Sequence, residues 1–463
     1  QHAEITSRGL GGVRLLVQAP SDRAVNLGRL TADAVGLFAS TLRHSGQIDV
    51  QAVQAEGGRV ELKALERAEI DGQVTARRLQ GLGGLFHATA RQVQVDSTAR
   101  VDASGTYGGG EVLVGGGWQG QDSRLANAQQ TVVASGARLE ANATTRGDGG
   151  TVVVWSDQAT RFAGSIEARG GAEAGDGGTA EVSGRQQLGF RGKANLTAAK
   201  GRTGTLLLDP ATLSIIGGNG DGDLDGSATF GTPVPGTIAG GDPLMVVFEG
   251  EIEALDANIV LQATDSISVH GSFSNNDINV KPGNSISLTV AGGSGYGLID
   301  LVTPPSGSGS PVAVPISIQT SGGGNIDLRV MNPVGGEIRV GEAHNASSLN
   351  AGTTGNVTVQ ANSGRVTLVN TTVAGANVTV KGGTESNRTI SGTAVSLDKA
   401  TLIAGTGQVD VQGHASESIG VAMYGASTIS SATGAQIIGT SGGLYPGNGF
   451  VGEDASISGT GPL

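Results

Sequence analysis

Eleven five-residue phrases in this chain follow one rule: a glycine, any residue, an aliphatic or β-branched residue, any residue, an aliphatic residue. Gly46-Gln-Ile-Asp-Val50, Gly58-Arg-Val-Glu-Leu62, Gly110-Glu-Val-Leu-Val114 and Gly150-Thr-Val-Val-Val154 are early examples. Gly324-Asn-Ile-Asp-Leu328, Gly355-Asn-Val-Thr-Val359 and Gly407-Gln-Val-Asp-Val411 are later ones, and Ala376-Asn-Val-Thr-Val380 keeps its glycine one place earlier, at Gly375. A glycine opens a turn, and the alternation after it sends one side chain inward and the next outward, as in a half-buried strand. One such unit cannot bury its apolar face alone. Repeated along a chain, it is the signature of a solenoid.

The spacing of the phrases limits the coil. The Gly-Gly turns at Gly57, Gly83 and Gly109 lie 26 residues apart, and those at Gly149 and Gly177 lie 28 apart. That is long for one strand and short for a strand-helix-strand unit, and it suits a β-helix coil of two or three short strands. At about 20–28 residues per coil, the chain has room for about 17–22 coils. Around Gly355, Gly364 and Gly375 the interval shortens to one strand plus one turn. No segment holds a capped 3.6-residue period. The nearest, residues 23–41, places Val25, Leu27, Leu30 and Val35 where they serve equally well in strands.

Composition excludes several classes. With 80 glycines, only 13 prolines and no three-residue period, the chain is not collagen, and its aliphatic content argues against disorder. Aromatic residues are 3% of the chain, so Val, Ile, Leu and Ala must build a thin core, and a base-stacking surface is missing. A net charge of −12 without a Lys/Arg run argues against nucleic acid as a partner and disfavours anionic lipid. The absence of cysteine removes disulfides, thiol catalysis and Cys-based zinc sites. Gln1-His-Ala-Glu4 lacks the features of a signal peptide, and no stretch is apolar enough to span a membrane. An exported chain of this kind is expected to be a processed part of a longer precursor.

Three regions are expected. Residues 1–208 are the regular β-helix. Residues 209–250, punctuated by Pro210, Pro233, Pro235 and Pro243, form a Gly/Pro/Asp-rich insertion or hinge. Residues 251–463 are a second β-helix section, richer in Ser, Thr and Asn, with a surface excursion at 303–315 and a weakly patterned end from Gly442.

Certain stretches carry more than rhythm. They are Gly149-Gly-Thr-Val-Val-Val-Trp-Ser-Asp-Gln-Ala-Thr-Arg-Phe-Ala-Gly-Ser-Ile166, Gly175-Asp-Gly-Gly-Thr-Ala-Glu-Val-Ser-Gly184 and Gly201-Arg-Thr-Gly-Thr-Leu-Leu-Leu-Asp-Pro210. With Val35-Gly-Leu-Phe-Ala39 and Gly115-Gly-Gly-Trp-Gln-Gly120, they resemble filamentous-haemagglutinin-like exoproteins of two-partner secretion over residues 25–210, and by strand rhythm alone over 250–410. The resemblance implies an all-β fold, a right-handed parallel β-helix (β-solenoid). It implies export from a Gram-negative bacterium through an outer-membrane partner pore, and a surface or released fibre used in adhesion, aggregation or matrix building. The family's N-terminal secretion domain is not recognisable, so the chain reads as shaft.

Candidate chemistry is sparse. Asp221, Asp223 and Asp225, followed by Gly226, match the first half of a calcium loop, in which alternate residues of a tight turn converge oxygen ligands. Position twelve is Thr232 in place of the usual Glu, so the loop is not a standard EF-hand, and an acidic solvated loop is the other reading. Arg146, Gly147 and Asp148 form an integrin-type tripeptide, but Asp148-Gly-Gly150 is also the turn before a strand, as is Asp176-Gly-Gly178. Asn-x-Ser/Thr sequons occur at Asn142, Asn195, Asn345, Asn356, Asn370, Asn377 and Asn387, where Asn also suits turns and inter-coil ladders. Trp155, Phe162 and Phe190 would form either a sugar-binding face or internal packing. The six histidines are scattered, and no nucleophile elbow or zinc helix is present. The expected function is therefore a secreted structural fibre without catalysis, stacking head to tail. Its rivals are an adhesin binding a glycan or receptor through the loops 219–246 or 303–315, and a β-helix polysaccharide-degrading enzyme.

Overall fold

A computed structural model describes residues 2–4, 14–51, 58–78, 81–217, 246–270, 277–291, 293–302, 316–383, 392–416, 418–441 and 449–459. The chain divides into two compact units, one built mainly from Gln1–Pro210 and the other mainly from Ile259–Leu463. Each is a parallel β-helix whose coils, or rungs, have three faces.

In the first unit the third face is a seven-stranded parallel sheet, running from Arg29–Ala32 through Arg100–Asp102 to Lys193–Asn195. The first and second faces begin as single long strands, such as Ala34–His44 and Arg59–Ile70, with a register shift after Ala39 where the strand turns the corner. From the fourth rung they separate into pairs such as Leu85–Thr89 with Gln92–Val95. The antiparallel strand His2–Glu4 lies along the edge of Arg14–Asn26 and occupies part of what would be an open ladder. The second unit repeats the plan. Its third face is again seven strands, from Asp277–Asn279 to Ser456–Gly459.

Rungs stack because like residues fall in register. Val74, Val101, Leu139, Ile166 and Ala194 form one interior column of the first unit. Ile259, Ile286, Ile326, Val357 and Val378 form one of the second, with no member more than 1% exposed. Parallel sheets usually need both faces covered. Here strands alternate buried with half-exposed positions, as in Ile326–Val330, because the solenoid closes around its own interior and leaves the outside to water. Phe162 and Phe190 stack inside it with ring centroids 5.6 Å apart.

The number of coils needs revision. Among the described residues the third face of each unit has seven strands, one per rung, fewer in all than 17–22, because some coils are long. The step from Val60 to Phe86 is 26 residues, but the step from Val112 to Val152 is 40. Within 209–250, the described part includes the rung strand Thr212–Ile216, paired with Ser266–His270, and the start of a short helix, Glu249–Ala254. The end after Gly442, poor in pattern, supplies strands Phe450–Gly452 and Ser456–Gly459 of the last rung. The loops expected at 219–246 and 303–315 fall almost wholly outside the described residues.

Candidate functional site

The third face of the first unit sets charged groups around a concave surface. In its strands Val101 and Leu139 point inward, so their neighbours Asp102 and Glu140 point out. Register then stacks Asp102, Glu140 and Glu167 on three successive rungs. Adjacent strands lie about 4.8 Å apart, so three carboxylates share one column at close range. Arginines answer the outer two. Arg77 Nη2 lies 3.9 Å from Asp102 Oδ2, and Arg169 Nη2 lies 2.9 Å from Glu167 Oε2. Asn142 Oδ1 accepts from the Arg169 backbone N–H at 2.8 Å, which holds the turn beneath that arginine. Glu140, in the middle, makes no side-chain hydrogen bond or ion pair among the described residues. Burial, reinforced by the like charges of Asp102 and Glu167, raises its pKa above the ordinary carboxylate value despite Arg138 and Arg169.

Arg77, Arg78, Asp102, Glu140, Asn142 and Arg169 line a cleft of about 590 Å³. It offers acceptors and forked donors side by side, the set that can grip vicinal hydroxyls. Among the described residues no group of three or more His, Asp or Glu is arranged to hold a metal ion. Asp221, Asp223 and Asp225, the candidate calcium ligands, lie outside the described residues. Asp300 and Asp327 stand on different faces, bonded to Arg339 and Arg329.

The tripeptide Arg146-Gly147-Asp148 sits on a corner between rungs. Arg146 Nε is 2.6 Å from Glu173 Oε2, with the arginine side chain 67% exposed. Asp148 Oδ1 accepts from the Asp176 backbone N–H at 2.7 Å, and Asp176 Oδ1 in turn accepts from that of Arg202 at 2.8 Å. The aspartate thus serves as one step of a ladder that clamps consecutive turns. Asparagines do the same in the second unit. Asn325 Oδ1 accepts from the Asn356 N–H, Asn356 Oδ1 from Asn377 Nδ2, and Asn377 Oδ1 from the Gln408 N–H, at 2.8, 2.9 and 3.1 Å. The sequon residues Asn356 and Asn377 are therefore bonded between rungs, and Asn142 is buried. Asn387 lies outside the described residues.

One feature escaped sequence reasoning. Residues 115–129, the insert that makes the long coil, fold back over the outside of the first face. Leu125 of this flap packs with Leu113, Val153 and Trp155 beneath it as a small second core outside the solenoid. Glu181 is sealed under the same flap at 0% exposure. Its Oε2 accepts from the Gln119 N–H at 2.7 Å, while Oε1 has no partner among the described residues. Burial pushes its pKa up to about 7, against the Gln119 and Ser183 hydrogen bonds. At the flap's edge His87 Nε2 and Glu111 Oε1 are 2.6 Å apart, and Arg124 grips Asp122 at 2.6 Å. The available signal was a coil of 40 residues among coils of 26, with a triple glycine at its start.

Comparison of the chain with protein-family models and with curated proteins gave no match in either case.

Proposed function

We propose that this chain is the shaft of a secreted, fibre-forming exoprotein of the filamentous-haemagglutinin type, exported through an outer-membrane pore and used for surface adhesion, aggregation or matrix building. The observation that carries this reading is the rung-to-rung continuity of both units. Interior aliphatic columns, aspartate turns and asparagine ladders all bond one coil to the next. Stability built that way is a sum of nearest-neighbour terms, which suits a part whose task is length. The last described rung supports head-to-tail stacking. Phe450 and Ile457 continue the interior columns of Val421 and Ile429, yet are 45% and 38% exposed. A further rung laid on this edge, by a second copy, would cover them. Electron micrographs of purified protein should show filaments at high concentration. Dispersed single particles under all conditions would overturn the reading.

A further inference from the structure

The third face of the second unit differs from the first and second faces in the residues its strands turn outward. In its strands Ile318, Leu349, Val373, Leu402 and Ile429 are fully buried, so the residues on either side of each point outward. Register stacks those outward residues into two columns. One runs from Ser317 through Ser348, Thr372, Thr401 and Thr428 to Ser456. The other runs from Gln319 through Asn350, Ala374, Ile403 and Ser430 to Ser458. Asp277 and Asn279 open the two columns at the first rung.

Charge is segregated away from this face. Residues 211–463 hold 20 acidic and 7 basic side chains. After Asp277, none of them occupies an outward strand position of the third face. Charged pairs do occur at outward strand positions of the other two faces: Lys381 with Asp410 and Arg329 with Asp327 on the first, and Arg339 with Asp300 on the second. The equivalent face of the first unit shows that the fold does not impose this. There the same positions hold Arg100, Asp102, Arg138, Glu140, Glu167 and Lys193.

We propose that this uncharged face docks the unit onto an insoluble, neutral polysaccharide. Hydroxyls and amides both donate and accept, as the hydroxyls of a neutral sugar do. A charged group on such a surface would lose hydration against a partner with no countercharge, so excluding charge lowers the cost of contact. The columns repeat at about 4.8 Å along the unit and the two outward positions of a strand lie about 6.7 Å apart. A regular array of this kind matches a partner that is itself periodic. Neighbouring hydroxyls are already ordered toward each other, as where Thr428 Oγ1 donates to Thr401 Oγ1 at 3.3 Å.

Area argues against a second copy as the occupant. Seven rungs of three residues present about 340 Å². A stable protein–protein interface needs about 800 Å² from each partner. Weak contact of this size becomes useful when many copies in one fibre engage one polymer, since linked sites multiply their effect. The inference rests on the exoprotein reading in that it places the face outside the cell.

The test is sedimentation of the purified chain with microcrystalline cellulose and with powdered chitin. The unaltered protein should partition onto at least one of them. The double variant Thr372→Lys with Thr401→Lys should bind about tenfold more weakly, a loss of about 1.4 kcal/mol. Its circular dichroism and unfolding midpoint should match the parent, so that misfolding is excluded. Thr379→Lys, an outward change on the first face, should bind as the parent does. No binding to either polymer overturns the proposal, and so does equal binding by the double variant. Ice shaping without polymer binding, or a dimer dissolved by the double variant, assigns the face to another occupant and also overturns it. Filaments in the microscope together with failed polymer binding would leave the fibre reading standing and remove only this one.

Discussion

At the residue scale the repeated glycine has a reason that the phrase alone does not reveal. A Cβ built on Gly150 would lie 2.0 Å from the carbonyl oxygen of Gly110, one rung away, and one on Gly178 would lie 2.1 Å from that of Gly150. Neither position needs a left-handed backbone. What each needs is room for the neighbouring rung's main chain, which cannot rotate aside as a side chain can. Gly150→Ala must therefore push two rungs apart. It should destabilise the first unit by about 1–3 kcal/mol, the usual cost of overpacking. Gly295→Ala, with nothing within 4 Å of its Cβ, is the control and should be nearly silent. Urea unfolding of the two variants checks this, and equal midpoints would remove the explanation. The turn-then-strand reading of the phrase was legible because alternation is local. The close approach was not, since it joins residues 28 or 40 positions apart whose register depends on every insert between them. Asn356 and Asn377 were similarly ambiguous, and only register shows their amides bonded to adjacent rungs.

At the scale of elements, strands were easier to read than what covers them. The strand Thr179–Gly184 follows from its glycine and its alternation, but nothing in that alternation says that Glu181 is sealed from water. The flap does that, and a flap appears in sequence only as a lengthened coil. Its chemistry has a pH consequence. Burial raises the folded pKa of Glu181 to about 7 from an ordinary value of 4.5, so the folded chain binds the proton more tightly. The stabilisation from the neutral carboxyl is complete below about pH 4.5 and is lost as pH rises through about 7. A shift of this size corresponds to roughly 3 kcal/mol, enough to loosen a 15-residue flap. Asp122, held down to about 2 by Arg124, and Glu111, lowered by its hydrogen bond to His87, stay ionised across that window and do not share the transition. The only two tryptophans are Trp118 in the flap and Trp155 beneath it, so intrinsic fluorescence reports this element alone. Emission should shift to the red with a midpoint near pH 7, and Glu181→Gln should abolish that shift. An unchanged titration in the variant would assign the transition to another group.

At the scale of the whole molecule charge is uneven. Residues 1–210 hold 22 basic and 21 acidic side chains, against 7 and 20 in residues 211–463. Composition showed only the total of −12 and spoke against nucleic acid; it did not show how the charge is divided. The division bears on head-to-tail assembly. On the first rung of the first unit Arg23 and Arg29 are exposed, Arg29 lying 3.4 Å from Asp49 of the next rung. The last rung of the second unit has Glu453 and Asp454 and no cation. Two copies meeting at those edges would bring opposite charges together, while the net negative charge of each copy opposes approach. Screening decides between these effects. At physiological ionic strength the Debye length is about 8 Å, so charges several rungs away are damped and those at the contact dominate. Assembly followed by light scattering at 0.15 M salt should therefore slow and weaken in Glu453→Lys with Asp454→Lys. The difference should vanish near 1 M salt, where the screening length falls to about 3 Å. The same double variant assembling as readily as the parent at 0.15 M would place the contact elsewhere. Assembly that strengthens steadily with salt in the parent would mean that repulsion between whole copies, and not attraction between their ends, sets the rate.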